Sequence, residues 1–190
     1  MSPRIGLDST IILKTAADMV NEQGLDAITL ASLAKRLSVR SPSLYNHIAG
    51  LEDLKKQLAI YGIEQLYTAL IQSAIGRSGN EAVHAMGDAY VSFARENPGI
   101  YEATLLLPMD PDVQQAGSKI VDLTLKILAH YNLTEDEAIH GVRGIRSILH
   151  GFASLEQKGG FGLPLDVNDS LKRLIDSYLV GINKHSGNPM

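Results

Sequence analysis

An all-α fold is what the sequence predicts, on three observations. Apolar residues recur at i, i+3, i+4 and i+7 through most of the chain, as in Leu30, Leu33, Ala34 and Leu37. Helix starts and stops are written in the residues that favour them: Thr29, Ser41-Pro42, Asp110-Pro111 and Thr134 with Glu137 open helices, and Gly24 and Gly159-Gly160 close them. No stretch alternates apolar and polar residues at the period of a strand, and there is no internal repeat or low-complexity segment.

The elements follow in order. Ile12, Ala16, Met19 and Val20 make one face of a first helix from Ser9 to Gln23, capped by Asp8 or Ser9 and ended by Gly24. Thr29 caps a second helix running to about Leu37. Ser38-Val39-Arg40 is long enough only for a turn. Ser41 then serves as an N-cap, with Pro42 at the first helical position, where a missing N–H costs nothing, and a short helix is expected from Pro42 to about His47. Leu44 and Ile48 share one face of it, leaving Ser41, Ser43, Tyr45 and His47 to point elsewhere.

Two helices this short bury too little surface to stand alone. Spacing by itself leaves two readings open: small helices within a helical core, or a helix-turn-helix whose second helix enters the major groove of DNA. The displayed face favours the second. Serines, a tyrosine and a histidine without an acidic residue suit a polyanion better than a core.

Leu51 to Ile75 reads as one long helix, with Glu52 and Asp53 in its first turn, where they complement the macrodipole. At about 1.5 Å per residue it spans some 37 Å, enough to couple two regions mechanically. A break at 76–80 precedes a helix from Glu81 to Glu96, which Asn97-Pro98-Gly99 ends. After the apolar stretch Ile100 to Leu107, Asp110-Pro111 opens a helix to about Tyr131. Thr134 and Glu137 form a capping box before a helix from Glu135 to Lys158, and a last helix covers about Asn168 to Asn183.

Composition excludes several classes. At 190 residues and 45% hydrophobic, the chain can bury one or two ordinary cores. It has no cysteine, which removes disulfides and thiolate metal sites. No run approaches the roughly 18 to 20 apolar residues that span a bilayer, and no apolar signal core opens the chain, so a cytoplasmic protein without membrane contact is expected. Residues 1–56 carry seven basic and six acidic residues, a balance of +1. The remainder carries ten and fifteen, a balance of −5. DNA affinity therefore has to come from a placed surface and from dimerisation, since bulk charge does not supply it.

Over about the first sixty residues, the order EQGLDAITLASLA followed by LAKRLSVRSPSLYNHIAGLEDL resembles the TetR (tetracycline-repressor-like) transcriptional regulators. In that family, the block Leu44 to Ile48 matches the end of the recognition helix. Two positions depart from the pattern: Leu51 stands where many members have a phosphate-gripping lysine, with Lys55 and Lys56 one turn on, and Ala31 stands where some have an arginine. The segment RSILHGFASLEQKG is also similar to a subgroup with a Trp-His-Gly signature, here Leu149-His150-Gly151.

The resemblance implies a homodimer through the last two helices, and both look too apolar for helices with one face in water. Gly141, Gly144, Ile148 and Gly151 lie along one edge of the first of them. Such small residues let a neighbouring helix approach closely, either in a partner or within the chain. It implies also an effector cavity among the middle helices. Tyr61, Met86, Tyr90 and Phe93 are candidate lining groups, as are Tyr101, Met109 and Phe152, since aromatic and methionine side chains dominate apolar pockets.

Catalytic and metal chemistry find little support. His140, Arg143, Ser147 and His150 form a polar stripe on one helix, and no histidine pair has the spacing that places two ligands on one metal. No nucleophile elbow or phosphate-cradling glycine loop is present, so neither an enzyme nor a cofactor is expected. The expected protein is a homodimeric DNA-binding regulator, a repressor released from a palindromic double-stranded operator by a small-molecule effector. Residues 1–50 read DNA and 51–190 bind effector and dimerise. Ser41, Ser43 and Tyr45 are expected on base edges or phosphates and Arg40, His47 and Lys55 on phosphates, while Thr29 caps its helix and offers its N–H to phosphate. The rival is a helical small-molecule-binding protein whose N-terminal unit is only a structural cap.

Overall fold

The computed structural model describes residues 7–185, and among them all regular structure is helical. Eight α-helices follow one another: α1 (Ser9–Gln23), α2 (Leu30–Arg36), α3 (Leu51–Ala74), α4 (Gly79–Glu96), α5 (Pro98–Ala103), α6 (Pro111–Leu128), α7 (Glu135–Gln157) and α8 (Val167–His185). No described helix is long and apolar enough to cross a membrane.

Three sequence expectations need correction. The element after the turn is a six-residue 3-10 helix, Ser41–Asn46, and Ser41 is its first residue; its N-cap is Arg40, which makes no side-chain capping bond. Asn97-Pro98-Gly99 both ends α4 and opens α5, because Pro98 at the first helical position needs no N–H partner. The stretch expected to extend α6 tightens after Leu128 into a 3-10 turn, Ala129–Tyr131, closed by Asn132 in the left-handed region.

The chain folds as two compact units. Among the described residues, the first joins 7–64 with 97–116, and the second joins 65–96 with 117–185. The first half of α3, α5 and the start of α6 belong with the N-terminal helices in the first unit. Both α3 and α6 are continuous helices that pass from one unit to the other.

In the first unit, α1 packs against α2 and α5. Ile12, Val20, Leu33, Leu44, Leu54 and Leu58 are at most 1% exposed and form its core. Each such side chain contributes about 1.5–3 kcal/mol by leaving water. Gly99 is a glycine because a Cβ there would stand 2.0 Å from the carbonyl oxygen of Val20, so α5 lies on α1 backbone to backbone. Asn21 completes that joint: its side-chain oxygen accepts the Ile100 N–H at 3.0 Å, and its amide donates to Asn97 Oδ1 at 3.3 Å.

In the second unit, α4 lies against α7 and α8, which also pack on each other. Met86, Leu128, Phe152, Leu171, Ile175 and Leu179 are buried there. Arg95 on α4 holds both neighbours: Nε and Nη2 donate to the two carboxylate oxygens of Glu156 on α7 at 2.8 Å, and Nη2 also donates to Asn168 Oδ1 on α8 at 2.8 Å. Gly144 on α7 leaves room for the Tyr178 ring, whose hydroxyl donates to the Gly141 carbonyl at 3.1 Å. Gly141 itself faces Leu128, so two of the small residues on that edge serve contacts within the chain, while Gly151 faces open space.

Candidate nucleic-acid interface and effector region

The candidate DNA-reading segment is set by its two ends. Upstream, the Thr29 hydroxyl accepts the Ser32 N–H and the Ser32 hydroxyl accepts the Thr29 N–H, both at 3.0 Å, so α2 starts with a reciprocal cap. Because the Thr29 N–H is already spent in that cap, a phosphate there would have to displace the Ser32 hydroxyl. At the other end of α2, Ser38 sits at φ 56, with its N–H donating to Lys35 O and the Val39 N–H donating to Ala34 O. That is a Schellman closure carrying a serine in the left-handed position that usually takes glycine.

Downstream, the Asp53 carboxylate accepts the Ala49 N–H at 2.8 Å and the Gln57 amide at 3.0 Å. This bond holds the turn that leads from the reading segment into α3. Between these fixed ends, the 3-10 helix repeats every three residues, so Ser41, Leu44 and His47 fall on one side. Leu44 is fully buried, and Ser41 and His47 are half-buried beside it. Pro42, Tyr45, which is 60% exposed, and Asn46 are exposed, and Ser43 is half-buried like Ser41 and His47.

The structure therefore displays Tyr45, leaves Ser41, Ser43 and His47 half-buried, and adds Pro42 and Asn46 to the candidate surface. Sequence reasoning left Asn46 out, although it faces away from Leu44 at the α-helical period as well as at a period of three. Arg40 is exposed at the head of the segment. Lys55 is half-buried and its ammonium lies 3.2 Å from Glu52 Oε1, an exposed pair that a phosphate can displace.

Lys56 is engaged differently. Its Nζ lies 2.6 Å from Asp112 Oδ2 and 3.0 Å from Asp110 Oδ2, at the start of α6. The bonds to Asp112 and then Asp110 raise the lysine above its ordinary pKa, and the bond from Lys56 holds Asp110 below the usual carboxylate range.

The candidate effector groups divide between the units. Tyr61, Tyr101 and Met109 belong to the first: Tyr101 is buried, Tyr61 half-buried, and Met109 stands 82% exposed. Met86, Tyr90, Phe93 and Phe152 belong to the second and are all buried. Phe152 meets Phe161 with ring centroids 4.8 Å apart, and the Thr124 hydroxyl lies 3.8 Å from the Met86 sulfur. None of these seven lines either of two described clefts of the second unit. One, of about 400 Å³, lies between α7 and α8, floored by Gly141, Tyr178, Gly181 and Ile182. The other, of about 280 Å³, lies beside the end of α3 and includes Ile75, Lys126 and His130. Among the described residues, no group of three or more His, Asp or Glu could hold a metal ion.

Comparison with known proteins accords with this geometry. The family model described as the tetracyclin repressor-like C-terminal domain matches residues 83–178. The uncharacterised HTH-type transcriptional regulator YobS of Bacillus subtilis is 40% identical over 191 residues, covering all of both chains. A Rhodococcus protein of unknown function superimposes with a TM-score of 0.81 at 22% identity, over 95% of this chain and 98% of that one. A TetR variant of Acinetobacter baumannii, solved in complex with minocycline, does so with a TM-score of 0.72 at 17% identity, over 95% and 99%. The helix-turn-helix at Leu30–Asn46, the family model's match to residues 83–178 and the full-length likeness to YobS lead to one conclusion: this chain belongs to the TetR family of DNA-binding transcriptional regulators.

Proposed function

We infer that the protein is a homodimeric repressor, released from a palindromic operator when a small molecule binds. Residues 1–50 read the DNA, and 51–190 bind the effector and dimerise. The observation that carries the reading is the segment Ser41–Asn46, which buries Leu44 completely and displays Pro42, Tyr45 and Asn46, with Ser43 half-buried. A six-residue helix that buries only Leu44 gains little stability, so its display has another use. Ser43, Tyr45 and Asn46, with Ser41 at the margin, meet base edges or phosphates. Arg40, Lys55 and His47 meet phosphates, His47 less directly because it is half-buried. Thr29 offers its N–H where phosphate replaces Ser32.

Dimerisation is supported by the apolar groups that α7 and α8 leave exposed: Ile139, Leu155, Leu174 and Val180 are 39–54% exposed. Gly151, open to solvent, permits close approach of a partner helix on the same pair. Effector control is supported by the minocycline complex of a similar fold. In this chain the buried Met86, Tyr90, Phe93 and Phe152 of the second unit are the apolar groups that a ligand would part. Ligand there displaces α3, changes the separation of the two reading segments and weakens DNA binding.

The test is retention of a random duplex pool by the purified protein across a salt series. Retention that falls with salt at a slope of several phosphate contacts is expected. Protein that retains no duplex at any salt, yet binds small molecules, would instead be a sequestering protein.

A further inference from the structure

Building on the DNA-reading role, we propose that Lys56 is a positioning residue of the reader: its ammonium latches the start of α6 to α3 and so fixes where the segment Ser41–Asn46 stands. Lys56 lies in the second turn of α3, five residues beyond Leu51, where the reading segment hands over to that helix. Its two carboxylate partners do more than neutralise it. The Oδ1 of Asp110 accepts the N–H groups of Asp112 at 2.9 Å and Val113 at 3.3 Å, while its Oδ2 takes the lysine at 3.0 Å. One carboxylate therefore caps α6 and ties it to α3. Asp112, at 2.6 Å, is the second arm of the latch.

The far end of the same segment is fastened to α1. Gly99 lies against the Val20 carbonyl, and Asn21 accepts the Ile100 N–H at 3.0 Å. Residues 97–116 thus run as a strap from α1 to α3, the two helices that flank α2 and the reading segment. The α1 end is a close backbone contact, held also by the Asn21 bond to the Ile100 N–H. The α3 end is ionic and can open. Opening it frees α3 to move against α1, which shifts the reading segment.

A direct phosphate contact is the competing role for this lysine, and its surroundings argue against it. With two carboxylates within 3.0 Å, the cluster of one ammonium and two aspartates carries a net charge of −1, which repels a phosphate. Lys55, with a single exposed partner, has no such obstacle.

The test compares Lys56→Met, Asp112→Asn and the double variant. Bulk charge predicts opposite effects, since one change removes a positive charge and the other a negative one. The latch predicts the same sign in both: affinity for a duplex taken from the pool retained by wild type falls by about 3- to 10-fold in each single variant, and the double falls no further than the weaker single. The salt slope stays that of wild type. In the DNA-free protein, amide exchange speeds up at 41–49 and at 112–113. Opposite signs, a slope shallower by about one, or unchanged affinity and exchange would each overturn the latch. If wild type retains no duplex, the DNA-reading role itself fails, and unchanged exchange in the variants would still refute the latch.

Discussion

Truncating Tyr45 separates a displayed reading group from a structural one. The side chain is 60% exposed, so Tyr45→Ala forfeits only the minor part of its surface that folding buries. At about 25 cal/mol per Å² of apolar area, that loss is at most about 1–2 kcal/mol, and extended-chain burial overstates it. On the proposed reading, a phenol contact to DNA contributes about 1–3 kcal/mol per reading segment, and the proposed dimer carries two. The expected loss of affinity is therefore roughly 30-fold to 10⁴-fold, with little change in melting temperature or in dimer mass. Fluorescence anisotropy on a selected duplex measures the first, and calorimetry with light scattering the second. Two neighbours make the test sharper. In the three-residue period Asn46 faces out and His47 sits beside buried Leu44, so Asn46→Ala is expected to weaken binding more than His47→Ala. Unchanged affinity in Tyr45→Ala refutes the assignment of the reading segment, and a larger effect at His47 than at Asn46 refutes its register.

Three further outcomes follow from the same structure. Arg95→Lys keeps the charge but loses the planar fork on Glu156 and the bond to Asn168. Discounted for solvent screening at a partly exposed site, it costs about 1 kcal/mol, or about 2–4 °C in melting temperature; an unchanged melting temperature means the fork contributes nothing. Ser38→Gly relieves a left-handed residue at φ 56 and should raise stability by about 0.5–1 kcal/mol after glycine's greater unfolded-state freedom is subtracted, so a loss in denaturant melts contradicts it. Burial pushes the Tyr131 hydroxyl up to about 12 from its ordinary 10.0. The folded form then keeps a proton that the unfolded chain releases, so this contribution is full below about pH 10 and is lost as pH rises towards 12. Tyr131→Phe lacks it and also loses the 2.7 Å bond to Asn80, so the wild-type advantage should shrink across that window; a constant difference refutes it.

Helix placement was legible because caps and breakers act locally: Asp8, Thr29, Thr134 and Gly159 lie where the chain grammar puts them. The exact helical form of Ser41–Asn46 was not legible. Proline after serine reads equally well as the first turn of an α-helix, and only the packing of Leu44 and the turn at Ser38 fix the tighter period. The tighter period brings His47 into line with Leu44, while Asn46 faces away from Leu44 under either period. The strap was also invisible, since Lys56 and Asp112 are 56 residues apart and the Gly99 contact depends on where α5 returns to α1. Aromatic composition gave pocket candidates without their neighbours, and the structure places four of them within a close-packed core. The Gly141 and Gly144 edge was ambiguous from spacing, because a small residue admits a neighbour from the same chain as readily as one from a partner. Tyr178 and Leu128 are those neighbours here.

The most direct measurement is the sequence of the DNA that the purified protein selects from a random duplex pool at physiological salt. Two identical reading segments in a symmetric dimer predict an enriched inverted repeat, with half-site centres separated by about 34 Å, one helical turn, or a multiple of it. Enrichment of a single unrepeated half-site would contradict the dimeric reader, and a pool returned without enrichment would contradict sequence-specific DNA binding by Ser41–Asn46.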